Sequence, residues 1–272
     1  MIEARREALL AWYDRHRRPL PWRDEADPYS VLVSEVMAQQ TQISRVVPHF
    51  ERFVEQFPTV EALAAARFRS VLAAWSGLGY NRRARFLHEA AKRIVSEGWP
   101  ESAATLQALP GVGPYTAAAV ASIAFGEPVA AVDTNARRVL SRWQGVELSG
   151  TGLQAAADSA LPPSRAADWN QAIMDLGAGY CRPRPLCLGC PVDQWCADAS
   201  VYAPPGSQST FAGSTRQARG AVLRKLLDEG TTPVPALVEL GIEQARLAAA
   251  LESLHTDGLI RPSGEEAWAI AD

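Results

Sequence analysis

All four cysteines of this 272-residue chain lie between positions 181 and 196, in the order Cys181-x5-Cys187-x2-Cys190-x5-Cys196. Structural disulfides belong to oxidising compartments, and a thioredoxin-like redox pair needs a βαβ context that the neighbouring sequence does not offer. Four thiolates from one short loop suit tetrahedral zinc or an iron–sulfur cluster. Zinc sites more often pair two C-x2-C knuckles; here there is one, so the iron–sulfur reading leads. Between the first two cysteines, Arg182-Pro183-Arg184-Pro185-Leu186 is basic and stiffened by proline. Such a loop can hold Arg182 and Arg184 toward a phosphate, the plain alternative being a metal loop that serves folding alone.

The rest of the first 200 residues reads as helix, with Ala and Leu dominating and apolar positions recurring at three and four. Asp27 is a candidate N-cap with Pro28 at the first helical position. Further helices are predicted over 59–74, 82–97, 101–109 and 114–125, and no alternating run argues for a sheet. The expected class is all-α. Composition shifts at Tyr202-Ala203-Pro204-Pro205-Gly206-Ser207-Gln208-Ser209-Thr210, which reads as a linker. Beyond it come helices over 216–229 and 243–257, with a short one opened by Pro233 and Pro235 between them. A strand, turn and strand follow over 259–261 and 267–270. Three helices and a hairpin suggest a small winged-helix-like module.

At 47% apolar residues the chain can bury a proper core. No stretch approaches the roughly 20 apolar residues of a membrane span. The N-terminus, Met1-Ile2-Glu3-Ala4-Arg5-Arg6-Glu7, lacks the apolar block of a secretory signal. A soluble, cytoplasmic protein with no membrane partner is expected. The basic footprint of a nucleic-acid binder is absent overall, since the net charge is −3. Any such surface must be local, and arginines do cluster at Arg82, Arg83 and Arg85, at Arg137, Arg138 and Arg142, and at Arg182 and Arg184. For any one cluster alone, a solvated helix face is the plainer reading. Residues 201–272 hold six basic and nine acidic side chains, which points the C-terminal module to a packing role or a protein partner rather than to groove reading.

Leu109-Pro110-Gly111-Val112-Gly113 sits between two helical patterns and precedes Pro114-Tyr115-Thr116-Ala117. Gly111 and Gly113 permit a tight turn and bring bare N–H groups to the start of the next helix, near Thr116, where a DNA phosphate could sit. A dinucleotide-binding turn is the rival, with Asp133 twenty positions after Gly113. It fails because the preceding segment is helical and Thr116 stands where a third glycine belongs. Glu35 lies in an otherwise apolar stretch where desolvation would raise its pKa. Gln39 and Gln42 follow at i+4 and i+7, as a polar stripe along a face that ought to be core. Asp133 is equally readable as a helix N-cap.

The motifs at 109–113, Val132-Asp133-Thr134-Asn135 and the cysteine loop resemble the helix-hairpin-helix DNA glycosylase superfamily. Ser34-Glu35-Val36-Met37-Ala38-Gln39-Gln40-Thr41-Gln42, Gly77-Leu78-Gly79-Tyr80 and Met174-Asp175-Leu176-Gly177-Ala178 are similar to its adenine DNA glycosylase (MutY) branch. The likeness runs through roughly residues 8–198. It implies a six-helix barrel domain with the helix-hairpin-helix at 22–132, and an iron–sulfur domain from 1–21 and 133–199. A linker at 200–215 and the module at 216–272 complete the expected plan. Cys181, Cys187, Cys190 and Cys196 would carry a [4Fe-4S] cluster.

The resemblance implies a monomer acting on double-stranded DNA, removing adenine mispaired with 8-oxoguanine or guanine after flipping it out of the duplex. Glu35 would protonate the base, Asp133 would stabilise the sugar cation, and Asn135 would position the acid–water network. Tyr115 stands where relatives resembling endonuclease III carry lysine. Tyrosine forms no Schiff base, so strand cleavage is not expected. Gln39, Gln40 and Tyr80 match residues that probe or wedge the duplex, Gln171 one that reads the adenine edge, and Arg23 part of a Pro-Trp-Arg segment near the pocket. The chain departs from the family in its five-residue first cysteine gap, in Ala38 for a wedging leucine, and in Asn81 for a second tyrosine. A short acidic module also stands where a Nudix-like domain is usual. Two alternatives stand beside this reading: a mismatch thymine or uracil glycosylase, and a non-catalytic binder of damaged DNA.

Overall fold

The computed structural model describes residues 2–23, 26–202, 204 and 210–272; most of the expected linker lies outside the described residues. Helices α1 (Ile2–His16), α2 (Pro28–Ala38), α3 (Ile43–Gln56), α4 (Val60–Ala65), α5 (Phe68–Trp75), α6 (Arg82–Glu97) and α7 (Ala103–Leu106) come first. They are followed by α8 (Pro114–Phe125), α9 (Thr134–Gln144), α10 (Gly150–Ala160), α11 (Ala166–Gly179) and α12 (Thr215–Glu229). The C-terminal part continues with β1 (Thr232–Pro233), α13 (Val234–Val238), α14 (Gln244–Thr256), β2 (Ile260–Pro262) and β3 (Ala267–Ile270). Among the described residues no helix is long and apolar enough to cross a membrane.

The chain divides into two compact units. One comprises residues 1–36 and 100–206. Its core is built by α1, α9, α10 and α11 through Leu9, Tyr13, Val139, Leu140, Ala157, Trp169, Ile173 and Leu176. Helix α8 is buried through its middle, from Thr116 to Ser122, as a run of alanines permits: small side chains let neighbouring helices approach from every side. Asp27 caps α2, its carboxylate accepting from the Ser30 N–H at 2.8 Å. The helix expected over 101–109 is confined to α7. A Ser102–Thr105 capping box starts it, and Leu109 and Val112 are buried from the turn that follows, which Gly111 makes possible at φ 74°.

The other unit comprises 37–99 and 207–272. The single helix expected over 59–74 is two, because Ala66 and Arg67 are extended, with ψ 149° and 135°. That break lets α4 bury Leu63 while α5 buries Phe68, Leu72 and Trp75. The sequence hides it, since neither residue is a helix breaker. At the C-terminal end, α12, α13 and α14 and the β2–β3 hairpin lie where the patterning places them. Strand β1 is an addition: two residues pairing Thr232 with Trp268 and Pro233 with Ala267, in sheet order β1-β3-β2. A two-residue strand leaves no periodicity to read. Within this unit, Arg69 of α5 donates to the Leu226 carbonyl at 3.1 Å and to that of Leu227, satisfying the open C-terminal end of α12.

Candidate active site and cysteine loop

Glu35 sits on a helix buried on all sides. Val31, Leu32, Val33, Ser34, Val36 and Met37 are all inaccessible, and Glu35 itself is 9% exposed. The Tyr115 hydroxyl donates to Glu35 Oε2 at 2.8 Å and lies 3.6 Å from Met174 Sδ. Burial pushes the Glu35 carboxyl up to about 7; the Asp133 charge adds to the rise, while the Tyr115 hydrogen bond and the Arg23 charge oppose it. Burial also pushes the Tyr115 phenol up, and both carboxylates reinforce it. The phenol therefore stays protonated and donates. Two acids and a phenol that act on one another electrostatically define a single site.

Asp133 does serve as the N-cap of α9, Oδ1 accepting from the Ala136 N–H at 2.7 Å. Its Oδ2 accepts from Asn135 Nδ2 at 2.7 Å. Burial raises this carboxyl, and the hydrogen bonds from Ala136 and Asn135 pull it back. The segment delivering Asp133 is latched by buried Asn170, which donates to the Val129 carbonyl and Ser122 Oγ and accepts from the Ala131 N–H. Asn135 Oδ1 accepts from Arg138 Nη2 at 2.8 Å, and the same guanidinium donates to the carbonyls of Gly177 and Cys181.

Gln171 is buried, with Oε1 accepting from the Tyr13 hydroxyl at 3.1 Å. That bond fixes which end of the amide faces away from Tyr13. Arg23 forms a two-pronged ion pair with Asp175, at 2.7 and 2.9 Å, and Arg18 adds a third contact at 2.6 Å. Asp175, to which the sequence assigns no role, is thus a buried carboxylate shared by two arginines, Arg23 largely buried and Arg18 partly exposed. The available signal was an acid inside the apolar run Ile173-Met174-Asp175-Leu176. At the hairpin, Gly113 is the N-cap of α8 with no side-chain cap, and Gly111 and Gly113 are exposed. The Thr116 side chain is buried.

The polar stripe expected on α2 does not exist as a helical face: the helix ends at Ala38, so Gln39 lies in a turn and Gln42 stands at the N-terminal edge of α3 without a side-chain cap. Gln39, Gln40 and Tyr80 belong to the other unit. Gln40 and Tyr80 are the two non-glycine residues with positive φ among the described residues, at 55° and 48°. Such backbone costs about 1–2 kcal/mol per residue. Arg83, read from sequence with a solvated cluster, is instead buried beneath these turns, and Arg142 is buried too.

Cys181, Cys187, Cys190 and Cys196 are unpaired and all line one cavity of about 210 Å³, walled by Leu176, Tyr180 and Val192. Among the described residues, no three or more His, Cys, Asp or Glu side chains converge on a single metal ion. Four thiols lining one cavity are a donor set that fits an iron–sulfur cluster. Arg142 supports the loop. Its guanidinium reaches Cys181 Sγ at 3.2 Å and the carbonyls of Arg182, Pro183 and Val201 at 2.7, 3.0 and 2.9 Å. Arg182 and Arg184 are exposed on the same loop.

Residues 33–159 match the family model described as "HhH-GPD superfamily base excision DNA repair protein". Helix-hairpin-helix, buried acid and capping aspartate thus belong to a base excision DNA repair protein of the HhH-GPD superfamily. Relatives narrow the branch. Adenine DNA glycosylase of Mycolicibacterium smegmatis is 41% identical over 97% of this chain and 94% of its own length. The Mycobacterium tuberculosis protein of the same name is 39% identical over 96% and 92%. Human adenine DNA glycosylase is 45% identical over 72% of this chain, which spans 39% of the human protein. The chain is a member of the adenine DNA glycosylase family. Among solved structures, a thermostable thymine-DNA glycosylase superposes with a TM-score of 0.66 at 29% identity, covering 72% of this chain and 96% of that one. An endonuclease III–DNA complex superposes at 0.62 and 22% identity over 73% and 96%, a likeness of fold alone.

Proposed function

We propose that this chain hydrolyses the N-glycosidic bond of adenine mispaired with 8-oxoguanine or guanine in double-stranded DNA, leaving the strand intact. The observation that carries the reading is the Tyr115–Glu35 hydrogen bond beside Asp133, with the Glu35 carboxyl near 7. A carboxylic acid that is still partly protonated at neutral pH can give its proton to a ring nitrogen of the extruded adenine. The C1′–N9 bond then breaks with its electron pair leaving on the base. The Asp133 carboxylate faces the oxocarbenium charge that develops on the sugar, and water adds at C1′. Asn135 keeps Asp133 aimed, and Gln171 offers its amide to the adenine edge. Tyr115 has no amine to attack the sugar, so no Schiff base and no strand break follow.

Cys181, Cys187, Cys190 and Cys196 would hold a [4Fe-4S] cluster, whose contribution is a four-point cross-link that stiffens the loop bearing Arg182 and Arg184. Those arginines, with the exposed hairpin at Gly111 and Gly113, supply phosphate contacts. We take the protein to work as a monomer in the cytoplasm, with the barrel and cluster domains divided as the sequence suggests. The C-terminal residues form a winged-helix-like module in this reading.

The test is excision on three duplexes: adenine opposite 8-oxoguanine, adenine opposite guanine, and thymine opposite guanine. Adenine release without alkali-independent nicking is expected, and Glu35→Gln should abolish it. The 29% likeness to a thymine-DNA glycosylase makes the third duplex the deciding arm; excision of thymine alone would overturn the assignment.

A further inference from the structure

Arg83 occupies an unusual position. Its guanidinium is buried at the N-terminal end of α6, where an exposed charge would be ordinary, and it is surrounded by carbonyls from two separate turns. From the last turn of α2 and the turn that follows it contacts the Met37 carbonyl at 2.9 Å, the Gln39 carbonyl at 2.6 Å and Thr41 Oγ1 at 3.0 Å. From the turn before α6 it contacts the Gly79 carbonyl at 3.1 Å and, through Nε, the Tyr80 carbonyl at 3.4 Å. The guanidinium also lies 5.4 Å from the ring centroids of Trp75 and Tyr80. The two turns it grips each contain one non-glycine residue with positive φ, Gln40 and Tyr80, and both are exposed.

We propose that Arg83 is the positioning residue of the duplex-probing surface: one guanidinium ties the 37–41 turn to the 79–80 turn, so that Gln40 and Tyr80 are presented together in a preformed geometry. The inference rests on the function proposed above, and adds to it that Gln40 and Tyr80 are the side chains that test the base pair. Strained backbone persists only where its surroundings over-determine it, and the planar fork of arginine, with five N–H groups, is suited to holding several acceptors in one plane. Lysine keeps the charge but offers a single flexible ammonium. Preformed wedges lower the ordering cost of engaging DNA, so the clamp acts on recognition of the mispair before chemistry begins.

Arg83→Lys separates the roles. Hydrogen exchange on the DNA-free protein reads the clamp, and should quicken at 39–41 and 79–80 while the α8 and α11 amides stay protected. Binding of a duplex carrying 2-aminopurine as the target base reads probing. Affinity and extrusion fluorescence should fall about tenfold, while adenine excision from a saturated complex falls less. If Arg83→Lys does not fold, Thr41→Val removes one acceptor and should produce the same pattern in smaller measure. Unchanged exchange at both turns overturns the proposal, as do looser turns with wild-type affinity and extrusion. A wild-type protein that excises no adenine would overturn the assigned function instead, and the exchange pattern would still decide the clamp.

Discussion

A Cβ added to Gly177 would lie 2.6 Å from the Cβ of Asn135. Helix α11 therefore presses bare backbone onto the side chain that holds Asp133, and the Gly177 carbonyl accepts from Arg138, the residue gripping Asn135 from its other end. Gly177→Ala should push Asn135 aside. Overpacking of this kind costs about 1–3 kcal/mol, and a misplacement near 1 Å can cost about 100-fold in rate. Thermal unfolding and single-turnover excision measure the two. Asn135→Gly in the same chain should recover the stability and leave the rate low.

The Glu35 carboxyl titrates in the folded protein near 7 against an ordinary 4.5. In the proposed mechanism its working form is the protonated one, so excision should hold just below pH 7 and decline tenfold per unit above it. The stability effect has a definite sign. Between 4.5 and about 7 the folded chain binds this proton more tightly than the unfolded chain, so folding weakens as pH rises through that window, by about 3 kcal/mol at 1.36 kcal/mol per unit. Glu35→Gln should therefore raise the melting temperature at pH 8 relative to wild type and bring no such gain at pH 4. Parallel melting curves at the two pH values would contradict the buried acid.

Removing the Tyr115 hydroxyl makes the opposite adjustment to a common intuition. The phenol donates to Glu35 and so favours its ionised form. Tyr115→Phe should push the Glu35 carboxyl higher, moving the alkaline limb of the excision profile to higher pH while lowering the plateau. A limb that stays put, or shifts downward, removes the hydrogen bond from the mechanism.

Sequence patterning reached the parts of this chain whose physics is local. Helices α6 and α8 carry their own stop signals, Gly98 and Gly126 at positive φ, and Asp27 and Asp133 cap from within three residues of their partners. The pairing of Glu35 with Tyr115 across 80 positions is not local. Its members were legible through motif resemblance, and nothing in composition or spacing joins them. Arg83 and Arg142 were misread for a related reason. A charged residue on a helix is solvated by default, and only the converging carbonyls of distant turns make burial tolerable. Asp175 escaped because its partners Arg18 and Arg23 lie more than 150 residues earlier.

Asp133 combines a cap with a charge, and substitution can divide them. Asn caps about as well as Asp, whereas Ala loses the cap at a cost of about 1 kcal/mol. Asp133→Asn should melt close to wild type and Asp133→Ala below it, yet both should lose most of the excision rate. Asp133→Asn also removes the charge that helps raise Glu35, so any residual activity should show its alkaline limb at lower pH. If the Asn variant retains full turnover, the carboxylate has no part in stabilising the sugar cation.

Arg142 joins Cys181 Sγ and three carbonyls of the cysteine loop and its exit, at Arg182, Pro183 and Val201. A lysine cannot serve four acceptors at once, and a net hydrogen bond lost at each of these part-buried carbonyls costs about 0.5–1.5 kcal/mol. Arg142→Lys should therefore free the 181–187 loop before it unfolds the rest. Loop release is readable as faster reaction of the four thiols with a disulfide reagent in metal-free protein and, if the proposed cluster is loaded, as faster loss of iron on dialysis. Because Arg182 and Arg184 ride on that loop, duplex affinity should drop with a shallower salt dependence, as expected when fewer phosphates are neutralised. Thiol reaction at the wild-type rate would mean that the guanidinium does not hold the loop.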